Sequence, residues 1–148
     1  MSENYLEDTF DVVTNLFTSF GYFENNEDEQ KTINAMASNL KKEGLLIIDF
    51  MNAKKVIANL VLNEQKKIDG IQFDIIRQVK DGYILKDICI TDGKEQQQFQ
   101  EKVKAITLAD YSELIANAEL KIIDIFGNYK LDDFDEEISD RLILICKK

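Results

Sequence analysis

Histidine is absent from the 148 residues of this chain. That excludes imidazole acid–base catalysis and histidine-ligated metal sites. Proline is absent too, so no turn rests on a native cis-proline bond. The sequence contains no Cys-x-x-Cys, no Gly-x-x-x-x-Gly-Lys and no Gly-x-Gly-x-x-Gly. The fingerprints of dithiol redox chemistry, P-loop phosphate binding and dinucleotide binding are therefore missing. The two cysteines, Cys89 and Cys146, sit in apolar, strand-like stretches and read as reduced core thiols, not as a disulfide or a metal pair. The longest apolar run, residues 45–51, contains Asp49 and is far too short to span a bilayer. The first residues are acidic and polar, unlike a secretory signal. Together these features point to a cytoplasmic protein.

Positive charge is also scarce. Lys and Arg number 18 against 28 Asp and Glu, for a net charge of -10. Such a field repels phosphate backbones and anionic lipid, so neither nucleic acid nor a membrane surface is the expected partner. Basic residues cluster no further than the pairs at 41–42, 54–55, 66–67 and 147–148. The length suits one domain, residues 1–148, with room for a core, and composition marks no repeat, linker or boundary.

Along the chain, Phe10 to Phe17 reads as a buried strand breaking into a turn of small and aromatic residues. A helix over 27–42 follows. Asn25 or Asn26 caps it, Glu27, Asp28 and Glu29 load its positive end, and Ile33, Met36, Ala37 and Leu40 share a face. Lys41 and Lys42 suit its negative end and Gly44 stops it. Residues 45–50, LLIIDF, are continuously apolar except Asp49, as in a parallel strand covered on both faces. Asn52 caps a short helix with Val56, Ile57, Leu60 and Val61 inward. From Ile71 the pattern alternates. Residues 71–79, 83–91 and 97–106 read as an antiparallel meander turning at Asp81-Gly82 and Asp92-Gly93. Thr107 to Asp110 forms a capping box for a helix with Tyr111, Leu114, Ile115 and Ala118 on one face. Residues 120–126 and 141–146 are further apolar strands. The acidic loop 132–137 lacks the ligand alternation and central glycine of an EF-hand and reads as solvated, so no metal is expected.

The segment FDVVTNLFTSFGYF resembles the fourth strand, and the loop after it, of the class I S-adenosylmethionine-dependent methyltransferases. LKKEGLLIIDFMN is similar to that family's helix end, glycine turn and fifth strand. The helix over 108–118 fits the one before its sixth strand. FGNYKLDDFDEEISDRLILICKK resembles its closing antiparallel pair, whose last strand folds back between its neighbours. The resemblance implies an α/β fold: a partial Rossmann-like sheet, the C-terminal half of the mixed sheet, with an antiparallel meander inserted at about 68–106. The family's glycine-rich turn and its two acidic cofactor contacts belong before Phe10. The chain is thus expected to be the C-terminal portion of such an enzyme, acting on a small-molecule acceptor. The alternative is a non-catalytic interaction or dimerisation module derived from that fold.

Open α/β sheets bind ligands outside the carboxyl ends of their strands. Residues 15–23 and 49–52 reach that crevice. The resemblance implies that Asn15, Leu16 and Phe17 lie beside the cofactor, and that Ser19, Tyr22, Asp49 and Asn52 lie near the acceptor. Asn15 has the donors and acceptor to orient a ligand, or to satisfy its own loop. Phe17, Phe20, Tyr22 and Phe23 either wall a pocket around a sulfonium or fill the core. Asp49 either contacts substrate as a polar group or base, or accepts hydrogen bonds from backbone or Arg141. Methyl transfer needs positioning more than acid or base, so no catalytic residue is assigned. Without the preceding strands, residues 12–17 form an apolar sheet edge, which predicts a homo-oligomer and weak or absent S-adenosylmethionine binding by this chain alone.

Overall fold

The computed structural model describes residues 7–23 and 25–148. The elements run β1 (Phe10–Asn15), α1 (Asn26–Asn39), β2 (Leu40–Met51), α2 (Ala53–Ala58), β3 (Asn63–Ile68), β4 (Ile71–Lys80), β5 (Tyr83–Asp92), β6 (Glu95–Lys104), α3 (Leu108–Asn117), β7 (Lys121–Phe126) and β8 (Arg141–Lys147). They form two compact units. One holds the residues up to Lys55 together with Ile106–Lys148, and the other is Val56–Ala105. The antiparallel strands begin with β3 at Asn63.

The first unit is built on a four-stranded mixed sheet in the order β1-β2-β8-β7. β1 runs parallel to β2, while β8 runs antiparallel to both β2 and β7. The last strand therefore lies between its neighbours, as the resemblance implied. The core is apolar and well covered: Leu46, Ile48, Phe50 and Leu144 are fully buried. α1 and α3 pack together, with Gln30 Nε2 donating to the Leu114 carbonyl at 3.0 Å and Asn117 Nδ2 to Gln30 Oε1 at 3.2 Å. Their caps form as read. The Asn25 side chain accepts from Asp28 N at 2.8 Å, and Thr107 and Asp110 form the reciprocal capping box.

Three local expectations are corrected. β1 is not the buried strand its apolar run suggests: it is an edge strand, as the resemblance led one to expect, with Phe10 41% and Val12 47% exposed. Lys41, Lys42 and Gly44 do not end α1, which stops at Asn39; they lie in β2. Here the β1–β2 register jumps from Phe10↔Leu40 to Val12↔Leu45. Gly44 is required by this irregularity, because a Cβ there would lie 2.8 Å from the Lys41 carbonyl oxygen. Leu60 and Val61 fall outside α2, and Val61 is 58% exposed. Periodicity placed these residues on a helix face because it cannot see where tertiary contacts end the helix.

The second unit is a four-stranded antiparallel sheet, β3-β4-β5-β6. Its hairpins are two-residue turns with left-handed backbone at Asp81 (φ 53°) and Gly82 (φ 79°), and at Asp69 (φ 52°) and Gly70 (φ 89°). Such turns match the twist of the strands. β3, NEQKKI, escapes the sequence reading because it is almost wholly polar, although Asp69-Gly70 carries the same signal as the turns that were read. Cys89 is only half-buried here, in contrast to Cys146, so it is not a core thiol. No described helix is long and apolar enough to cross a membrane.

Candidate functional site

The carboxyl ends of the parallel pair β1 and β2 deliver Asn15 and Asp49 side by side, since Asn15 pairs opposite Ile48. Asn15 is 3% and Asp49 2% exposed. Asp49 is the hub of the site. Its Oδ1 accepts from Arg141 Nε at 2.7 Å, and its Oδ2 from the Phe17 backbone N–H and from the Tyr129 hydroxyl, both at 3.0 Å. Its carbonyl accepts from Thr18 N–H at 3.1 Å. Arg141 Nη2 reaches on to Thr18 Oγ1 at 3.1 Å, and its guanidinium carbon lies 5.8 Å from the centre of the Tyr129 ring.

Sheet register explains the ion pair. Asp49 pairs with Ile143 and Met51 with Arg141. Asp49 and Arg141 are thus diagonal neighbours on one face of the sheet, within reach of a long side chain. A carboxylate this buried is costly unless paired and fully hydrogen-bonded. Here each oxygen has a partner. Asp49 therefore binds its own protein, and the reading in which it accepts backbone and Arg141 bonds describes its geometry.

The turn that follows β1 is strained. Phe17 and Thr18 both have φ of 58°, in the left-handed region. For a β-branched threonine this is unfavourable by roughly 1–2 kcal/mol. The two successive N–H groups converge on Asp49, one on its carboxylate and the next on its carbonyl, and these bonds offset the strain. The turn also separates the aromatic residues. Phe20 is fully buried, 5.6 Å from Tyr111, which stands 5.5 Å from Phe50. Phe23 is half-buried and stacks edge-on against Phe20 at 5.5 Å. These rings form a floor. Phe17 (79%) and Tyr22 (55%) stand exposed above it, and Leu16 (38%) and Ser19 lie on the surface.

Tyr111 and Tyr129 add two hydroxyls. That of Tyr111 is fully buried and has no hydrogen-bond partner among the described residues. Burial, then the nearby Glu29 and Asp49 carboxylates, push it well above the ordinary phenol range. Tyr129 was not singled out in the sequence. Loss of solvent, then its bond to Asp49, raises its hydroxyl as well. The only hint was its place just after Gly127-Asn128, at the end of a strand.

Asn52 is held elsewhere. Its Nδ2 donates to the Glu136 and Ser139 carbonyls at 2.8 and 2.9 Å, so it anchors the acidic loop and does not reach the Asp49 network. Lys54 pairs with Glu136 and Glu137 at 2.9 and 2.6 Å, and their hydrogen bonds raise its ammonium above the usual lysine range. Lys54 thus offsets two of the carboxylates of the acidic loop, and no group of residues suited to a metal ion occurs among the described residues.

No protein-family model and no curated protein matches the sequence. Solved structures do match. An S-adenosylmethionine-dependent methyltransferase from Clostridium acetobutylicum superposes with a TM-score of 0.82 at 20% identity, over 99% of this chain and 61% of that one. The CcbJ methyltransferase from Streptomyces caelestis gives 0.79 at 11% identity, over 94% and 61%. An amino pentose methyltransferase from Micromonospora echinaspora, solved with S-adenosylmethionine bound, gives 0.67 at 15%, over 99% and 61%. The chain spans about 61% of the length of these structures. Its fold, the mixed sheet with its reversed last strand and the antiparallel sheet beside it in sequence, is that of the class I S-adenosylmethionine-dependent methyltransferases.

Proposed function

We propose that this chain is the C-terminal portion of an S-adenosylmethionine-dependent methyltransferase domain, and that the whole domain methylates a small-molecule acceptor in the cytoplasm. The observation that carries this reading is the strand order β1-β2-β8-β7 with its one parallel pair, matched over 99% of the chain by a methyltransferase. Solved neighbours that act on an amino pentose and on a sugar nitrogen support a small polar acceptor. In this reading Asn15, Leu16 and Phe17 line one wall of the cofactor site, and Ser19 and Tyr22 face the acceptor. Asp49 supports that wall from behind and Asn52 holds the loop beyond it.

The open backbone edge of β1 is the join. In the whole domain it pairs with a preceding strand; in this chain alone it pairs with a second copy. One set of samples tests both statements. Calorimetry on the isolated chain gives no S-adenosylmethionine binding tighter than about 1 mM, because an open site buries little of the ligand. With the preceding portion restored, affinity rises to about the micromolar range. Sedimentation gives a dimer or larger species for the isolated chain. Tight binding by the isolated chain sinks the portion reading. Failure of the restored protein to bind favours instead a non-catalytic interaction module.

A further inference from the structure

The turn after β1 cannot hold its shape by local preference. Leu16, Phe17, Thr18 and Ser19 include no glycine or asparagine, the residues that take left-handed backbone at low cost. Yet Phe17 and Thr18 both adopt φ of 58°. One local bond closes the turn, from the Ser19 N–H to the Leu16 carbonyl at 3.3 Å; the others that hold it come from distant segments: Asp49 at the end of β2, Arg141 at the start of β8, and Tyr129 in the loop after β7. Arg141 is itself fixed, its backbone N–H donating to the Gly127 carbonyl at 2.8 Å. Gly127 in turn tolerates no side chain, because a Cβ there would run into Ser139. Strained backbone held by several independent contacts marks a place where shape is needed for something other than stability.

We propose that Arg141 and Tyr129 are positioning residues: acting through Asp49 and Thr18, they lock the Phe17–Thr18 backbone so that the Phe17 ring stands as a fixed wall of the ligand crevice. The inference rests on the methyltransferase reading for the identity of the ligand, but not for the lock. Arg141 supplies two different bonds, one to Asp49 Oδ1 and one to Thr18 Oγ1, so a lysine cannot replace it. Tyr129 is 65% exposed and meets Asp49 through its hydroxyl, so Tyr129→Phe removes one bond and little packing. Phe17 gains nothing for stability from its place, being 79% exposed. The locked backbone sets the direction in which its ring leaves the turn, and that direction is useful to something that lands on it.

Hydrogen exchange at single amides of this chain tests the lock. Arg141→Lys speeds exchange at Phe17 and Thr18 by about tenfold or more, the effect of one charge-assisted hydrogen bond lost. Tyr129→Phe speeds it by a smaller factor, and Ile115 in α3 is unchanged in both. The Phe17 amide proton resonance, shifted downfield by its carboxylate acceptor, moves upfield in each. Thr18→Ser keeps the hydroxyl acceptor and behaves as wild type, whereas Thr18→Val does not. Unchanged exchange at 17–18, or equal acceleration at Ile115, overturns the lock. In the protein with its preceding portion restored, Arg141→Lys weakens S-adenosylmethionine binding by about tenfold or more, and Thr18→Ser leaves it intact. Full binding by Arg141→Lys overturns the positioning role alone. No binding by the wild type overturns the methyltransferase reading and the role that rests on it.

Discussion

The two units of this chain solve the same problem, a four-stranded sheet, by opposite means. In Val56–Ala105 the sheet is a meander of hairpins, two of them turning at Asp-Gly steps with left-handed backbone and the third at left-handed Gly93, and its charges pair across neighbouring strands. Glu64 meets Arg77 at 2.7 Å and Lys86 meets Glu101 at 3.0 Å, across neighbouring strands. Every strand follows from its neighbour in sequence. In the other unit each strand pairing joins distant segments, and its central ion pair, Asp49–Arg141, links residues 92 apart with the carboxylate side chain 3% exposed. Its left-handed residues include Phe17 and Thr18, neither of which takes that backbone cheaply. The meander takes its conformation from cheap local chemistry. The mixed sheet holds an expensive one by long-range bonds.

Substitution at the two kinds of ion pair breaks this comparison most directly. Asp49→Ala strands the Arg141 guanidinium and frees the Phe17 amide and the Tyr129 hydroxyl, costing about 3–5 kcal/mol. Glu101→Ala, across a surface pair with Glu101 49% exposed, costs less than about 1 kcal/mol. Urea unfolding followed at one probe in each unit reads both values, and equal costs would erase the distinction.

Left-handed positions give a smaller effect with opposite signs. Phe17→Gly relieves roughly 1–2 kcal/mol of backbone strain and loses little burial, offset in part by the greater freedom of glycine in the unfolded chain, so stability rises by up to about 1 kcal/mol. Gly82→Ala, at φ 79° in the meander, lowers stability by about 1 kcal/mol or more. A fall in melting temperature for Phe17→Gly would show that the turn is unstrained.

Thiol chemistry gives the smallest contrast. Burial pushes the Cys146 thiol up to about 12 from 9.0, so it stays protonated and covered. Cys89, half-buried in β5, reacts with an alkylating reagent in the native state, and Cys146 reacts only on unfolding. The raised value also carries a sign. The stability Cys146 contributes is complete below about pH 9 and declines as pH rises toward about 12, where the unfolded chain has shed a proton that the folded chain keeps. Cys146→Ala flattens that decline in alkaline denaturation, and an unaltered slope would remove the assignment.

Legibility follows the same division. The capping residues Asn25 and Thr107, the buried run 45–50 and the turns at Asp81-Gly82 and Asp92-Gly93 could be read because each signal lies within a few residues of its effect. β3 escaped because a polar edge strand has no apolar alternation to show. FDVV by its composition reads as core wherever it stands; the edge position of β1 is a matter of strand order and was expected only through the family resemblance. Asn15, Phe17 and Asp49 were singled out because they stand at or just beyond the carboxyl ends of strands. Tyr129 was missed, and Asn52 proved to serve a different loop, since neither contact has a local signature.

By itself, then, the sequence determined the α/β class, the order of the strands and helices along the chain apart from β3, the exclusion of histidine chemistry, and the candidate turn after β1. Short-range hydrogen bonding and hydrophobic periodicity carry that information. The tertiary structure alone decided that β8 enters between β2 and β7 and that its register sets Arg141 diagonal to Asp49. It also decided that this pair, with Tyr129, bends Phe17 and Thr18 into a conformation their own side chains oppose. Register between strands is set by the summed fit of a whole buried face, a sum to which residues far apart in sequence contribute together.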